Sequence, residues 1–329
     1  MSPGTAEVVV RRATAGDRPE ILAVAGRSLG WEPGPATEAH FTWKHADNPF
    51  GASPMWVAEV GGRVAGFRTF LRWEFLHAGE VRHAVRAVDT ATDPEFQGRG
   101  IFTTLTRAAL DELTAEGVDF VFNTPNAQSR PGYLKMGWVV VGRLPVVVRP
   151  AGPGGLLRIA RARTPADRGA VPTAAGTPAA TVFADRGLAE RLLTHVPPGA
   201  GLTTRRSVEY LRWRFGPEAL HYRVVAGPEG PEAGAVVFHL RRRGPALEAV
   251  ICETLVPAGD ARTRAAAFAR ISEESGADYL LALRSPRPPG RRFWPVPGAG
   301  PVLTSRVLAT APPAARADWH LGLGDVELF

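Results

Sequence analysis

The stretch from Asp93 to Leu105, DPEFQGRGIFTTL, joins a predicted strand to a predicted helix and contains two glycines. The apolar run Ala84–Thr92 before it is typical of a strand, and Ile101–Glu116 after it has the spacing of an amphipathic helix. The first amides of a helix lack helical acceptors, and the helix dipole favours negative charge there. Gly98 and Gly100 permit close approach of a ligand to the backbone. We therefore predict an anion site here, with residue types that suit a pyrophosphate.

The spacing of this loop distinguishes between classes of phosphate site. A P-loop requires GxxxxGK[ST], and the stretch has no lysine; a dinucleotide fold requires GxGxxG, which also fails to match. The six residues QGRGIF instead resemble the Q/R-x-x-G-x-G/A motif of the GCN5-related N-acetyltransferase (GNAT) family, with Phe102 where the family has Gly or Ala. The resemblance implies that acetyl-coenzyme A is bound by Gln97, Gly98, Arg99, Gly100, Ile101 and Phe102.

A second segment strengthens the resemblance. Asn126–Trp138, NAQSRPGYLKMGW, follows the predicted strand Asp119–Asn123 and is similar to the N-x(6)-Y-x-x-x-G-F motif that closes a GNAT domain. In the family the asparagine, here Asn126, contacts the cofactor arm. The tyrosine, here Tyr133, lies near the thioester sulfur and serves as general acid.

The same resemblance implies a fork between two strands, in which the pantetheine arm of the cofactor lies. The arm bonds to the backbone at the end of the first strand, here Thr90, Ala91 and Thr92. The expected chemistry is direct attack of a neutral amine on the thioester, after a base has taken the proton of the amine. The candidate base is Asp89 in the first strand, with Glu74 as a second candidate.

The residues before the loop predict the rest of the first sheet. Met55–Val60 and Val64–Trp73 alternate around a Gly-Gly turn, a pattern that favours a hairpin. A helix is predicted at Ala39–His45, in a region that shapes the acceptor site in the family. Trp43 in this helix, and Asn123 at the end of the strand Asp119–Asn123, are predicted to contact the acceptor.

The second half of the chain repeats this order of elements but lacks the chemistry. It has a hairpin pattern, a strand, a helix of similar length and the run Gly276–Leu281, GADYLL, which matches Gly117–Phe122, GVDFVF, type for type. Asp260 stands where the first half has its glycine loop and would repel a phosphate. The tyrosine motif is also missing from this half. One cofactor site is therefore expected, in the first half.

The predicted fold class is α/β (α+β), with two GNAT-like mixed, mainly antiparallel sheets flanked by helices. The predicted domains are a GNAT acetyltransferase domain with the CoA site at residues 1–150, a Pro/Gly/Ala-rich linker at 151–180, and a degenerate GNAT-like domain at 181–329.

Composition limits the classes of partner. The net charge is +7, but the arginines that dominate the basic residues are scattered, which favours compositional bias over nucleic-acid binding. The single cysteine, Cys252, excludes an internal disulfide, and no histidine pair has a metal-ligand spacing, so no metal is expected. No apolar run is long enough to span a membrane. We expect a cytoplasmic monomer or homodimer without nucleic-acid or membrane partners.

The sequence thus predicts an acyl-CoA-dependent N-acyltransferase, with acetyl-CoA as co-substrate and a primary amine of a small metabolite as acceptor. Two alternatives stay open. One is a non-catalytic module that binds acyl-CoA or a metabolite, and the other is a thioester hydrolase or decarboxylase on the same fold.

Overall fold

A computed structural model of the protein describes residues 7–162, 164–167, 169–284 and 292–326. The ends of the two predicted domains, residues 1–6 and 327–329, lie outside the described residues. The helices are α1 (Arg18–Leu29), α2 (Pro35–His45), α3 (Ile101–Ala115), α4 (Arg130–Lys135), α5 (Pro153–Arg161), α6 (Ala179–Ala184), α7 (Arg186–Thr194), α8 (Val208–Phe215), α9 (Ala261–Ser275) and α10 (Leu323–Val326). The strands are β1 (Val8–Arg12), β2 (Met55–Val60), β3 (Arg63–His77), β4 (Glu80–Thr92), β5 (Phe120–Asn123), β6 (Val139–Arg143), β7 (Val146–Pro150), β8 (Thr177–Pro178), β9 (Thr203–Thr204), β10 (Arg223–Gly227), β11 (Gly230–Arg243), β12 (Ala246–Leu255), β13 (Tyr279–Leu283), β14 (Trp294–Pro295) and β15 (Val302–Val307).

The first sheet has the strand order β1-β2-β3-β4-β5-β15-β6. The predicted hairpin is present, because Val60 pairs with Arg63 across Gly61 and Gly62. Both glycines have positive φ, at 59° and 79°, as a tight turn that matches the twist of the strands requires. The local glycine pattern therefore determined this part of the sheet.

Apolar side chains on both faces of this sheet form two clusters. Trp56 and Ala58 of β2 pack with Ile101, Leu105 and other residues of α3 on one face. Between them in sequence, Val57 packs on the opposite face, in a cluster that includes residues of α1 and α2. The period of two along a strand places neighbouring residues on opposite faces. The sheet is consequently covered by helices on both sides.

One pair of neighbouring strands in the first sheet is parallel and short. Ala84 to Arg86 of β4 pair with Phe120 to Phe122 of β5, and β4 then continues to Thr92 without that partner. The two strands therefore separate beyond Arg86, which leaves a fork at the carboxyl end of β4. Helix α3 begins nine residues after β4 ends.

The second sheet has the order β14-β7-β13-β12-β11-β10-β8, which is compatible with the predicted internal repeat. Its hairpin β10–β11, strand β12, helix α9 and strand β13 follow the order of β2–β3, β4, α3 and β5. Strands β12 and β13 also form a short parallel pair, from Glu248 with Tyr279 to Val250 with Leu281. The two mixed, mainly antiparallel sheets with flanking helices confirm the predicted fold class.

The division into compact units differs from the predicted boundaries. One unit comprises residues 1–75, 81–141 and 303–314, and the other comprises 76–80, 142–302 and 315–329. Strand β7, which the sequence placed in the first domain, pairs with β13 in the second sheet. Strand β15, placed in the second domain, pairs with β5 in the first sheet. Each parallel strand thus gains an antiparallel neighbour from the other half of the sequence.

The predicted linker also contains regular structure, since α5 and β8 lie within it. In the part of the chain that the structure describes, no helix has both the length and the apolar character needed to cross a bilayer.

Candidate active site

The glycine loop before α3 has the geometry of an anion site. Gly98 and Gly100 have φ of 79° and 73°, in the left-handed region that glycine adopts without strain. Gly100 is the residue that precedes the first turn of α3, and the loop from Gln97 to Gly100 is exposed. The backbone amides of Gly98, Arg99 and Gly100 make no hydrogen bond within the described chain. They can therefore bind the oxygens of a diphosphate.

The two residues that follow the loop point their side chains into the protein. Ile101 is buried in the cluster beneath α3. The ring of Phe102 meets the ring of Tyr133 edge-on, with 5.5 Å between centroids. A Cβ added at Gly132 would lie 3.3 Å from the Phe102 ring, so the ring fills the space beside that glycine. The bulky residue that departs from the family motif is thus accommodated beside Tyr133.

The polar and charged side chains of the loop contact the residues just before it in the sequence. Gln97 Nε2 donates to the carbonyl of Thr92 at 3.5 Å, and the Arg99 guanidinium lies 5.3 Å from the centroid of the Phe96 ring. Arg99 thereby brings a positive charge to the loop without a carboxylate partner in the described chain. The contact of both residues with a diphosphate stays a prediction.

The three residues at the end of β4 line the fork, but not all of their polar groups are open. Thr90 Oγ1 donates to the carbonyl of Phe67 at 3.0 Å. The carbonyl of Thr92 accepts from Ser28 Oγ at 3.0 Å. It is therefore already bonded, whereas the sequence predicted that this backbone group bonds to the cofactor arm. Ala91 is buried, and it lies beyond the described pairing of β4 with β5, which ends at Arg86. The fork therefore offers backbone groups mainly at Thr90 and Ala91.

Tyr133 lies at the inner wall of this region and is bound by an arginine. The side chain is 4% exposed, and its Oη accepts a hydrogen bond from Arg68 Nη1 at 2.8 Å. Arg68 belongs to β3, opposite Trp56 in the hairpin. The tyrosine hydroxyl is therefore held in place by an interaction that the motif does not contain.

Asn126 stabilises the turn that leads into α4. Its Oδ1 accepts from the backbone amides of Gln128 and Ser129 at 3.1 and 2.8 Å, and from Ser129 Oγ. The Nδ2 group makes no hydrogen bond within the described chain. An exposed amide donor thus stays available for a ligand.

The surroundings of Asp89, the candidate general base, favour a structural role. Its carboxylate lies 2.7 Å from Lys44 Nζ and 3.0 Å from His45 Nε2, and both partners come from α2 and are almost fully buried. Burial opposes ionisation of Asp89, but the charge of Lys44 and the hydrogen bond from His45 outweigh it and hold the pKa well below its ordinary range. Such a carboxylate stays ionised and keeps its proton affinity low. The second candidate, Glu74, lies 3.7 Å from His83 Nδ1.

A chain of hydrogen bonds extends from Asp89 to Ser53. His45 Nδ1 lies 3.0 Å from Ser53 Oγ, while its Nε2 contacts the carboxylate of Asp89. Burial lowers the pKa of His45, so the ring is neutral. Asp89 also has a positive φ of 20°, which is uncommon for a residue with a side chain. The part of β4 that lies in the fork is therefore held, through Asp89, by Lys44, His45 and Ser53.

Asn123, which is predicted to contact the acceptor, is buried inside the first sheet. Asn123 is 3% exposed, and its Oδ1 accepts from Thr304 Oγ1 at 2.5 Å, because β15 pairs directly with β5. The side chain is used inside the sheet. Trp43 lies half-buried on α2 with its ring 5.1 Å from that of His40, and its role toward an acceptor stays a prediction.

The sequence did not reveal Arg68, Lys44 or His45 as parts of this region. Arg68 stands in the run VAGFRTFLRW, where a charged residue between apolar neighbours in a predicted inner strand is the one available signal. Across the described ranges, no group of three or more His, Cys, Asp or Glu side chains is placed to hold a metal ion.

The second sheet has a comparable fork without an anion site. A cavity of about 320 Å³ lies at the ends of β12 and β13, lined by residues that include Cys252, Glu253 and Leu283. At the start of the neighbouring helix α9, the carboxylate of Asp260 already accepts from the amide of Thr263 at 2.9 Å. A diphosphate would meet this negative charge. The first fork is consequently the candidate for the cofactor.

A fork between parallel strands, followed by a glycine loop and a helix, defines the class of the first unit. Residues 9–141 match the sequence model of a family described as acetyltransferase (GNAT) domain. This match agrees with the resemblance that the two motifs indicate. Among curated proteins, no sequence matches the chain.

Solved structures with this architecture extend the comparison to nearly the whole chain. A probable N-acyltransferase from Enterococcus faecalis V583 has a TM-score of 0.66 at 12% identity, over 92% of this chain and 72% of that one. A GCN5-related N-acetyltransferase from Anabaena variabilis gives 0.62 at 12% identity, over 92% and 73%. Eis1 from Mycobacterium abscessus gives 0.57 at 15% identity, over 92% and 74%. At such identities the likeness shows the fold alone.

Proposed function

We propose that the protein transfers an acyl group from acyl-CoA, most simply acetyl from acetyl-CoA, to a primary amine of a small molecule. The observation that carries the proposal is the set of unbonded amides at Gly98, Arg99 and Gly100, which lies beside a strand fork and a buried tyrosine. A diphosphate-bearing thioester fits this combination better than a plain phosphate ligand does. The fork suits an extended arm that carries amide groups.

The residues of the fork have separate roles in this proposal. The amides of the loop bind the diphosphate, and the Nδ2 group of Asn126 and the backbone at Thr90 and Ala91 contact the arm. The amine nitrogen forms a bond to the thioester carbon, and the C–S bond breaks. Tyr133 gives its Oη proton to the departing thiolate and regains a proton from solvent. The proton of the amine leaves to water, because Asp89 is held in its ion pair.

The experiment follows free thiol while the protein is mixed with acetyl-CoA and a panel of primary amines. Thiol release that depends on an amine is the expected result. Release without an amine would instead indicate hydrolysis, and calorimetric binding of acetyl-CoA without any release would indicate a binding module. Absence of both binding and release would remove the proposal.

Two tyrosine variants test the role of the hydroxyl. Tyr133→Phe is expected to lower kcat by about 10²-fold or more, the usual contribution of a general acid, with acetyl-CoA binding retained. Tyr222→Phe is the matched control, because Tyr222 is also buried and its hydroxyl also accepts from a buried arginine, Arg214, in the second unit. Unchanged turnover in Tyr133→Phe would remove the acid role.

A further inference from the structure

Arg68 is a buried cation whose surroundings are unusual. The residue has no solvent exposure, and the described chain places no carboxylate within ion-pair distance of it. Its one hydrogen bond goes from Nη1 to Tyr133 Oη, while Nε and Nη2 have no partner. Three aromatic rings surround the guanidinium, with centroids 4.5 Å away for Phe70, 5.2 Å for Tyr133 and 5.5 Å for Phe102.

Stability alone does not account for an arginine at this position. A buried charge without a counterion carries a large desolvation penalty, which ring contacts offset only in part. An apolar side chain of similar volume would fill the same space without that penalty. The feature that only the guanidinium supplies is a charged donor at the hydroxyl of Tyr133.

We propose that Arg68 is a positioning residue for Tyr133 in acyl transfer, an inference that rests on the proposed function. Because Nη1 donates to Oη, a lone pair of the hydroxyl faces Arg68, and the hydroxyl proton is free for another acceptor, which in this proposal is the departing thiolate. When Tyr133 gives this proton to the departing thiolate, its oxygen gains negative charge beside the guanidinium. The buried site strengthens that attraction, and a proton from solvent restores the phenol.

A double-mutant cycle tests this role. Arg68→Met removes the charge and keeps the volume, and it is expected to lower kcat for amine-dependent thiol release by about 10-fold or more, with the KM for acetyl-CoA changed less than about threefold. In the Tyr133→Phe background the same substitution is expected to have little effect, since the group it acts through is gone. Equal losses in the two backgrounds would indicate a structural role and overturn the proposal.

The leaving group provides a second readout that packing does not affect. An acetyl thioester of a more acidic thiol needs less help from a general acid, so the defects of Arg68→Met and Tyr133→Phe should shrink together. An Arg68→Met defect that is the same with both thioesters would overturn the proposal.

Arg68→Lys is a second variant that keeps the test valid if Arg68→Met does not fold. It keeps a positive charge, and partial rescue relative to Arg68→Met is expected only where Tyr133 is present. If Arg68→Lys and Arg68→Met lower kcat equally where Tyr133 is present, the positive charge does not act through the hydroxyl, and the proposal is overturned. A wild-type protein without amine-dependent release would refute the proposed function itself, whereas additive losses in an active protein refute the role of Arg68 alone.

Discussion

Replacing Asp89 by asparagine removes the carboxylate that holds β4 against α2. In the folded protein this carboxylate lies 2.7 Å from Lys44 Nζ, and the Lys44 side chain is 2% exposed. Removing one partner of a buried ion pair usually costs about 3–5 kcal/mol, since the other charge stays buried. Asp89 itself is 14% exposed, and an amide can still accept from His45, so we expect a loss near the lower end, about 3 kcal/mol. That is a large part of the ~5–15 kcal/mol by which domains are stable.

The assay is urea unfolding at pH 7.5, with hydrogen exchange of peptides from β3, β4 and β5 to assign the transition to the first unit. Asp111→Asn, an exposed carboxylate on α3, is the control and should stay within about 0.5 kcal/mol of wild type. Lys44→Met combined with Asp89→Asn should recover most of the loss, because an apolar replacement leaves no charge without its partner.

The refuting result is an Asp89→Asn protein within about 1 kcal/mol of wild type, far below the usual cost of breaking a buried pair. If that variant also lost turnover while keeping acetyl-CoA binding, the ion pair would not be structural, and Asp89 would return as a candidate base.

Two further predictions concern the same region. Burial lowers the pKa of His45 in the folded protein. Below the ordinary histidine pKa of about 6.5, the unfolded chain therefore binds a proton that the folded chain does not. The free energy of unfolding should consequently decrease as the pH is lowered, by at most about 1.4 kcal/mol per pH unit. His45→Gln should remove this component in urea unfolding between pH 7.5 and 5.5, and parallel slopes in the two proteins would contradict it. A Cβ at Gly66 would lie 2.9 Å from the carbonyl oxygen of Ala91 and 3.0 Å from Ile101 Cγ2, behind the end of β4. Gly66→Ala should therefore weaken acetyl-CoA binding at least about tenfold, as measured by calorimetry. Gly154→Ala is the control, because a Cβ there meets open space. Equal affinity for acetyl-CoA in the two variants would show that the fork tolerates the displacement.

Local patterns were sufficient for the elements that build the fork. The Gly-Gly turn specified the hairpin of β2 and β3, and α3 begins at Ile101, as the spacing of apolar residues indicated. The glycine loop before α3 could be recognised for the same reason, because a positive φ at Gly98 and Gly100 leaves its mark in the residue type itself.

Pairing between distant strands could not be predicted in this way. Strands β7 and β15 are short runs rich in valine, and such a run specifies a buried strand but not its neighbour. Their exchange between the sheets moves the expected boundary at Pro150 and buries Asn123 against Thr304. Whether an asparagine at the end of a strand can contact a ligand depends on the neighbouring strand, which the local sequence does not identify.

The same distinction separates the residues of the site. Tyr133 belongs to a local motif, so the sequence could assign it a role, whereas its partner Arg68 lies 65 positions away on another strand. Asp89 has the residue type of a base, but the groups that determine its proton affinity, Lys44 and His45, come from a helix about 44 positions earlier. Residue type therefore indicates which chemistry is possible, and long-range contacts determine which group can perform it. For this fork they favour a structural role for Asp89, and the acid role of Tyr133 stays a proposal.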